Sequence, residues 1–332
     1  MTPRRIVTYL AAAAVIVVIF FAAGWWLILD TTRSDIESII VESRRAGYAI
    51  SYDALDIGGD PWIMVTTVSQ LSIAGPVNDG APPWVWSAPR LIVETRILAG
   101  PPRMAFILPE TQRLDYGGRV MEMTLQHGVA YFDPANINPD GLVIEADGIT
   151  LVTPKGLYTL DSLTALLRRG SETLLGVKID GRGLILASQI KAILGREISG
   201  IGITASHDGI LPDNLSGAAL DAWSADGGKV DFERLNLSWG GLEIAAEGTM
   251  TLDDELRPEA AFSAEIAGYG GLLDGLAESG RMKPRDASFA KTFFNLMAKE
   301  KAGRRVIEAP ITAQGGTLFV GPLPLVKLAP VF

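Results

Sequence analysis

Hydrophobic and polar positions along the chain fall into three successive regimes. Between Ile6 and Leu29 no residue is charged. An α-helix over that run, at about 1.5 Å per residue, would be roughly 36 Å long, enough to cross a hydrocarbon core of about 30 Å with some tilt. A transmembrane helix over 6–29 is therefore predicted, after a cytoplasmic tail of residues 1–5. Arg4 and Arg5 precede the span and Asp30 follows it, and this excess of cations on the first side keeps the N-terminus in the cytoplasm and sends the remainder across. A cleaved signal peptide would have an apolar core of only about 7–15 residues and a small-residue exit. Here the run is longer and ends near Trp25-Trp26, side chains suited to a membrane interface.

The second regime, residues 30–47, has helical spacing. Ser34-Asp35-Ile36-Glu37 reads as a capping box, Ile36, Ile39 and Ile40 share a face, Arg44 and Arg45 suit the negative end of the dipole, and Gly47 closes the run. A short juxtamembrane helix follows, acting as a stalk or as a docking element.

From Tyr48 to the end the period becomes two. Short apolar runs such as Leu71 and Ile73, Val120 to Leu125, and Ile149 and Leu151 recur between Gly, Pro, Asn and Asp. Alternation is cleanest at Leu235, Leu237, Trp239, then Leu242 and Ile244, then Phe262, Ala264 and Ile266, with Gly240-Gly241 and Asp253-Asp254 at turn positions. Three antiparallel strands are predicted there, and a final hairpin over 306–312 and 317–320, followed by an extended tail from Gly321. Helices are expected over Ser162–Arg169 (capped by Asp161), Ser188–Leu194 and Ala287–Lys299 (capped by Asp286). In the last, Phe289, Phe293, Leu296 and Met297 form a stripe read as facing the sheet. With no rhythm of strands alternating with long helices, the fold class is mainly β: a transmembrane helix, then a long curved antiparallel sheet over 48–332, an open groove or a sandwich, with a few short helices.

Composition narrows the chemistry. With no cysteine, disulfide frameworks, thiolate metal sites and thiol catalysis are excluded. All 38 acidic residues follow the span, so the exported part is strongly anionic and unsuited to nucleic acid. The sequence contains no G-x-S-x-G elbow and no H-E-x-x-H. The two histidines, His127 at a strand end and His207 in an expected turn, show no spacing that would gather catalytic partners. Asn136, Asn138, Asp140, Gly141 and Asp147 echo a calcium loop but depart from it at both ends, and an Asx-Gly turn accounts for the same residues. Trp62, Trp84 and Trp86 lie beside prolines and read as packing across a sheet edge, with sugar or peptide stacking as the other reading. No residue is assigned a catalytic, cofactor-binding or metal role, and no cofactor is expected.

Several segments together carry a family likeness. Gly47-Tyr48 with Tyr52, Gly59-Asp60-Pro61, Trp84-Val85-Trp86-Ser87-Ala88-Pro89, Trp239-Gly240-Gly241-Leu242, Gly248 to Asp253 and Gly316 to Pro322, behind one span ending in Trp-Trp, resemble domain-of-unknown-function family 2125 of alphaproteobacteria. That family is distantly similar to the AsmA and TamB group, single-span inner-membrane proteins whose periplasmic sheets form an apolar groove. The resemblance implies an inner-membrane protein with its C-terminal domain in the periplasm, non-enzymatic, holding or transferring lipid or another apolar ligand, with the membrane, an acyl chain and envelope proteins as partners. A structural scaffold within an envelope assembly and an envelope hydrolase are the alternatives. The family's motifs are turn and packing motifs, so they transfer no catalytic residues.

Overall fold

The computed structural model describes residues 28–60, 62–76, 82–96, 103–132, 141–169, 174–209, 216–301 and 303–331. Apart from its last two residues, the expected span over 6–29 lies outside them. Among the described residues no helix is long and apolar enough to cross a membrane. Residues 28–45 are helical (α1). Ser34 is therefore inside the helix rather than capping it, and its carbonyl accepts a hydrogen bond from Ser38 Oγ at 2.8 Å. The end is as expected: Tyr48 N–H donates to the Ser43 carbonyl over Gly47, whose φ of 92° suits a residue without Cβ.

The rest is one antiparallel sheet. Its strands are β1 (Ala49–Ser51), β2 (Ala54–Gly59), β3 (Ile63–Ala74), β4 (Trp84–Arg96), β5 (Arg103–Ile107), β6 (Thr111–Tyr116), β7 (Arg119–Thr124), β8 (His127–Phe132), β9 (Leu142–Thr153), β10 (Gly156–Arg169), β11 (Leu174–Ile185) and β12 (Glu197–Asp208). There follow β13 (Val230–Trp239), β14 (Leu242–Leu252), β15 (Pro258–Ala267), β16 (Lys299–Lys301), β17 (Arg304–Gln314), β18 (Thr317–Val320) and β19 (Leu323–Lys327). Four pairs of short strands each share one edge of a longer neighbour: β1 and β2 on β3, β5 and β6 on β4, β7 and β8 on β9, β16 and β18 on β17. The nineteen strands therefore make fifteen rows, and at about 4.8 Å per row the sheet is roughly 70 Å across.

The turns follow their residues. Gly240 and Gly241, at φ 51° and 86°, make the two-residue connection of β13 to β14 that matches strand twist. Between β14 and β15, Asp253 Oδ1 accepts from the Glu255 and Arg257 N–H groups while Oδ2 takes Arg257 Nε at 2.8 Å. Burial raises the Asp253 carboxyl, but those hydrogen bonds and the guanidinium charge outweigh it and hold the group below its ordinary range.

Three more helices interrupt the strands: α2 (Gly217–Ala225), α3 (Tyr269–Glu278) and α4 (Pro284–Met297). The main core lies where α3 and α4 pack on β14, β15 and β17, around Leu242, Ile266, Leu273, Phe294 and Ile307. A smaller cluster, Leu125, Ala146 and Ile149, sits at the turn into β8 and on β9.

Several expectations are corrected. Ser162–Arg169 is the second half of β10, not a helix. Leu163, Leu166 and Leu167 fit a helical period, but Leu163, Ala165 and Leu167 equally fit alternation, and full ladders to β9 and β11 decide between them. Ser188–Leu194 is irregular chain between β11 and β12. His207 lies within β12, not in a turn, because that strand extends by register with β11 as far as Leu174↔Asp208. Of the α4 stripe, Phe289, Leu296 and Met297 face outward rather than toward the sheet, and Phe293 packs in part against the core. Ala287, Ala290 and Phe294 are the buried residues, since small alanines let the helix approach the strands, while Phe289 and Leu296 are 63% and 82% exposed. Asp286 is in the first turn of α4 and Lys283 is the N-cap.

Candidate functional site

Because alternate residues of a strand share a face and paired residues sit side by side, register determines what each face of the sheet presents. One rank begins Ile57, Thr66, Val93, Phe106, Ala130 and Ile144 on β2, β3, β4, β5, β8 and β9. It continues as Ala165, Ile179, Ile203 and Leu235 on β10 to β13. It ends as Ala246, Ala264 and Ala309 on β14, β15 and β17. Across thirteen strands a single polar residue, Thr66, interrupts it. The parallel rank Ala146, Leu163, Gly181, Ile201, Leu237, Ile244, Ile266, Ile307 is apolar throughout.

The opposite face has the reverse character. Its rank runs Glu145, Thr164, Asp180, Gly202, Asn236, Ala245, Glu265, Glu308. Ion pairs cross it: Lys178 and Arg234 to Asp180, Lys301 to Glu265 at 2.5 Å, Lys299 to Glu308 at 2.6 Å, and Arg304 to Glu243. The hydrogen bond from Lys299 holds the Glu308 carboxyl below its usual range, and that to Glu265 raises the Lys301 ammonium above its own. A hollow of about 750 Å³ on this face is lined by Glu233, Arg234, Asn236, Glu247, Glu265 and Glu308 among others.

Cover on the apolar face is uneven. α3 and α4 lie over its C-terminal end, where Ala246, Ala264, Ala309 and Ile307 are buried. α2 lies against β14 and reaches the end of β12 at His207, whose ring lies 5.7 Å from that of Trp223. Over β9 to β12 the same ranks are only half-buried at Ile144, Ala165, Ile179, Ile201 and Ile203. Among the described residues the helices pack on β14 and β17, with none laid along β3 to β11. An apolar face in this state can bind apolar matter by excluding water from it.

The residues singled out by sequence do not converge. His127, at the start of β8, is exposed on the polar face opposite Asp147 of β9. His207 is 5% exposed on the apolar face, its Nδ1–H donating to the Lys229 carbonyl at 2.7 Å, and its Nε2 and Trp223 Nε1 have no hydrogen-bond partner among the described residues. Asn136, Asn138 and Asp140 lie outside the described residues; Gly141 and Asp147 adjoin and belong to β9. Trp84 packs over Gly75, where a Cβ would meet its ring at 2.2 Å, and Trp86 Nε1 donates to Gln112 Oε1 at 3.1 Å. Trp62 is 58% exposed.

The ranks themselves were not visible to sequence reasoning. Each strand's alternation was legible, but which residue stands beside which depends on register, for which one sequence carries no signal beyond turn length.

Over residues 25–329 the chain matches the family described as an uncharacterized protein conserved in bacteria, DUF2125. No curated protein and no solved structure matches it.

Proposed function

This chain belongs to the DUF2125 family, and we propose that it is a non-enzymatic, inner-membrane-anchored periplasmic protein that holds or transfers lipid or another apolar ligand on the uncovered apolar face of its sheet. The observation that carries this reading is the rank from Ile144 through Ala165 and Ile179 to Ile203, apolar at every position and half-buried, with no helix of the described residues laid along it. Contiguous apolar area of this extent on a protein surface marks a place where something apolar docks. Each methylene transferred from water contributes about 0.8 kcal/mol, so eight methylenes of an acyl chain laid across these strands would contribute about 6 kcal/mol before association costs. Anchoring by residues 6–29 and the orientation set by Arg4 and Arg5 would place this face on the periplasmic side. Likeness to the AsmA and TamB group supports the same role by analogy of layout alone.

The test is photo-crosslinking in bacterial cells that produce the full chain. A photoreactive residue in place of Ile179 or Ile203 should yield a phosphorus-labelled lipid adduct, and one in place of Lys178 or Thr204, on the polar face, should not. Equal labelling of both faces, or none, would reject the reading.

A further inference from the structure

We propose that the outward face of α4 is an interfacial anchor that seats the C-terminal end of the sheet on an anionic lipid bilayer. The proposal is independent of whether the sheet carries a ligand. Its first ground is the stripe itself. Phe289 and Leu296 are 63% and 82% exposed, Met297 is exposed too, and the Phe289 and Phe293 rings stack at 6.5 Å and 16°. The helix packs through Ala287, Ala290 and Phe294, with Phe293 partly against the same core, and needs neither Phe289 nor Leu296 nor Met297 for it. Exposed apolar side chains in a row along a helix are suited to entering the boundary between headgroups and acyl chains, where amphipathic helices lie about 5–10 Å deep.

Charge is the second ground. In a chain of net charge −9, residues 281–305 hold eight cations against Asp286 and Glu300. Lys291, Lys299, Lys301 and Arg304 are committed to Asp274, Glu308, Glu265 and Glu243. Arg281, Lys283 and Arg285 have no acidic partner among the described residues and are exposed. Arg285 is four residues before Phe289, hence on the same helix face. Lys283 and Arg285 lie at the N-terminal end of α4, where the dipole disfavours cations, and Lys283 occupies the N-cap without a side-chain hydrogen bond. Helix stability does not account for that placement; attraction to anionic headgroups does, each cation adding to membrane affinity near the surface.

The chain has no cysteine, so Leu296→Cys in the full chain gives a single attachment point for an environment-sensitive fluorophore. Reconstituted into phosphatidylethanolamine–phosphatidylglycerol vesicles, the label should blue-shift and be quenched by lipids brominated near the carbonyl end of the acyl chain. In pure phosphatidylcholine vesicles quenching should fall at least threefold. A label on Thr204→Cys, on the polar sheet face, should stay aqueous in both. Adding Arg281→Glu, Lys283→Glu and Arg285→Glu should abolish the anionic-lipid response, and Phe289→Ser should weaken it, with circular dichroism unchanged because these side chains are exposed. A label that stays aqueous in anionic vesicles overturns the proposal. So does a blue shift that appears in detergent micelles with rising protein concentration and ignores brominated lipid, which would assign the stripe to a second copy. Equal quenching in both vesicle types would overturn the charge contribution and with it the proposal as stated.

Discussion

Two stretches of the same sheet, β9 to β12 and β13 to β17, are built by the same rule and end in different states. Both alternate apolar and polar residues, both pair antiparallel in near-unbroken register, and both turn their apolar ranks to the same side. In the second stretch α3 and α4 lie on that side, the rank shrinks to Ala246, Ala264 and Ala309, and Ile307 is fully buried. In the first, no helix of the described residues lies along the strands, α2 reaching only the end of β12 at His207, and the rank holds Ile144, Ala165, Ile179 and Ile203, half-buried. Pairing alone thus gives the strands their order but not their cover. Beneath the helices the rank Ala246, Ala264 and Ala309 is small enough to admit them, with Ile266 and Ile307 enclosed beside it; on β9, β11 and β12 the same rank keeps the bulk of Ile144, Ile179 and Ile203.

The sharpest way to break this comparison is a pair of truncations. Ile307→Ala should cost about 2–5 kcal/mol in urea unfolding, as a fully enclosed side chain does, while Ile203→Ala should cost about 1 kcal/mol or less. Equal losses would mean that something covers β12 as thoroughly as α3 and α4 cover β17. Gly75→Ala tests a tight contact near the uncovered N-terminal edge. The added Cβ would enter the Trp84 ring, and a loss of about 1–3 kcal/mol with a change in tryptophan near-ultraviolet dichroism is expected. On the polar face, Lys301→Ala removes an ion pair whose side chains are 59% and 43% exposed, so less than about 1 kcal/mol should be lost, diminishing further in salt.

The smallest effect concerns pH and is confined to the covered stretch. The Asp253 carboxyl is held below its ordinary value in the folded chain. Its contribution is therefore complete above the unfolded pKa of about 3.9 and is lost as pH falls through the lower folded value. Amide exchange in the Asp253 to Arg257 turn should accelerate over that acid range in the native chain. With Asp253→Asn the acceleration from this group should vanish while the β9 to β12 amides remain unaffected.

Much of this architecture was legible in the sequence. Mainly antiparallel β structure, the β13 to β15 meander with its Gly240-Gly241 turn, the hairpin of β17 and β18, and a helix close to α4 all follow from period and turn residues. What was not legible has specific causes. Ser162–Arg169 satisfies two periods at once, and only neighbouring strands choose between them. α2 has no buried residue and α3 begins at Gly268 without a side-chain cap, so neither announces itself. For α4 the apolar stripe was found and its orientation reversed, because Ala287 and Ala290 bury less area than phenylalanine yet decide which side fits against strands. The candidate site depends on register summed over many strands, a property no local window contains.

The connectivity of the sheet also bears on how it is made. Each row joins one that is near in sequence, the longest-range strand pairing being Ala260 with Ala313. Loop closure for such pairings is cheap compared with that of folds whose strands meet across the whole chain. Synthesis delivers the N-terminal strands first, so rows can be added one by one against an edge already formed, in the manner of a zip. α3, α4 and their partner β17 arrive late, with β18 and β19 after them. The growing edge is consequently exposed throughout assembly, and it is blunted only at the end by β19, a five-residue strand whose Pro324 removes a donor from the ladder.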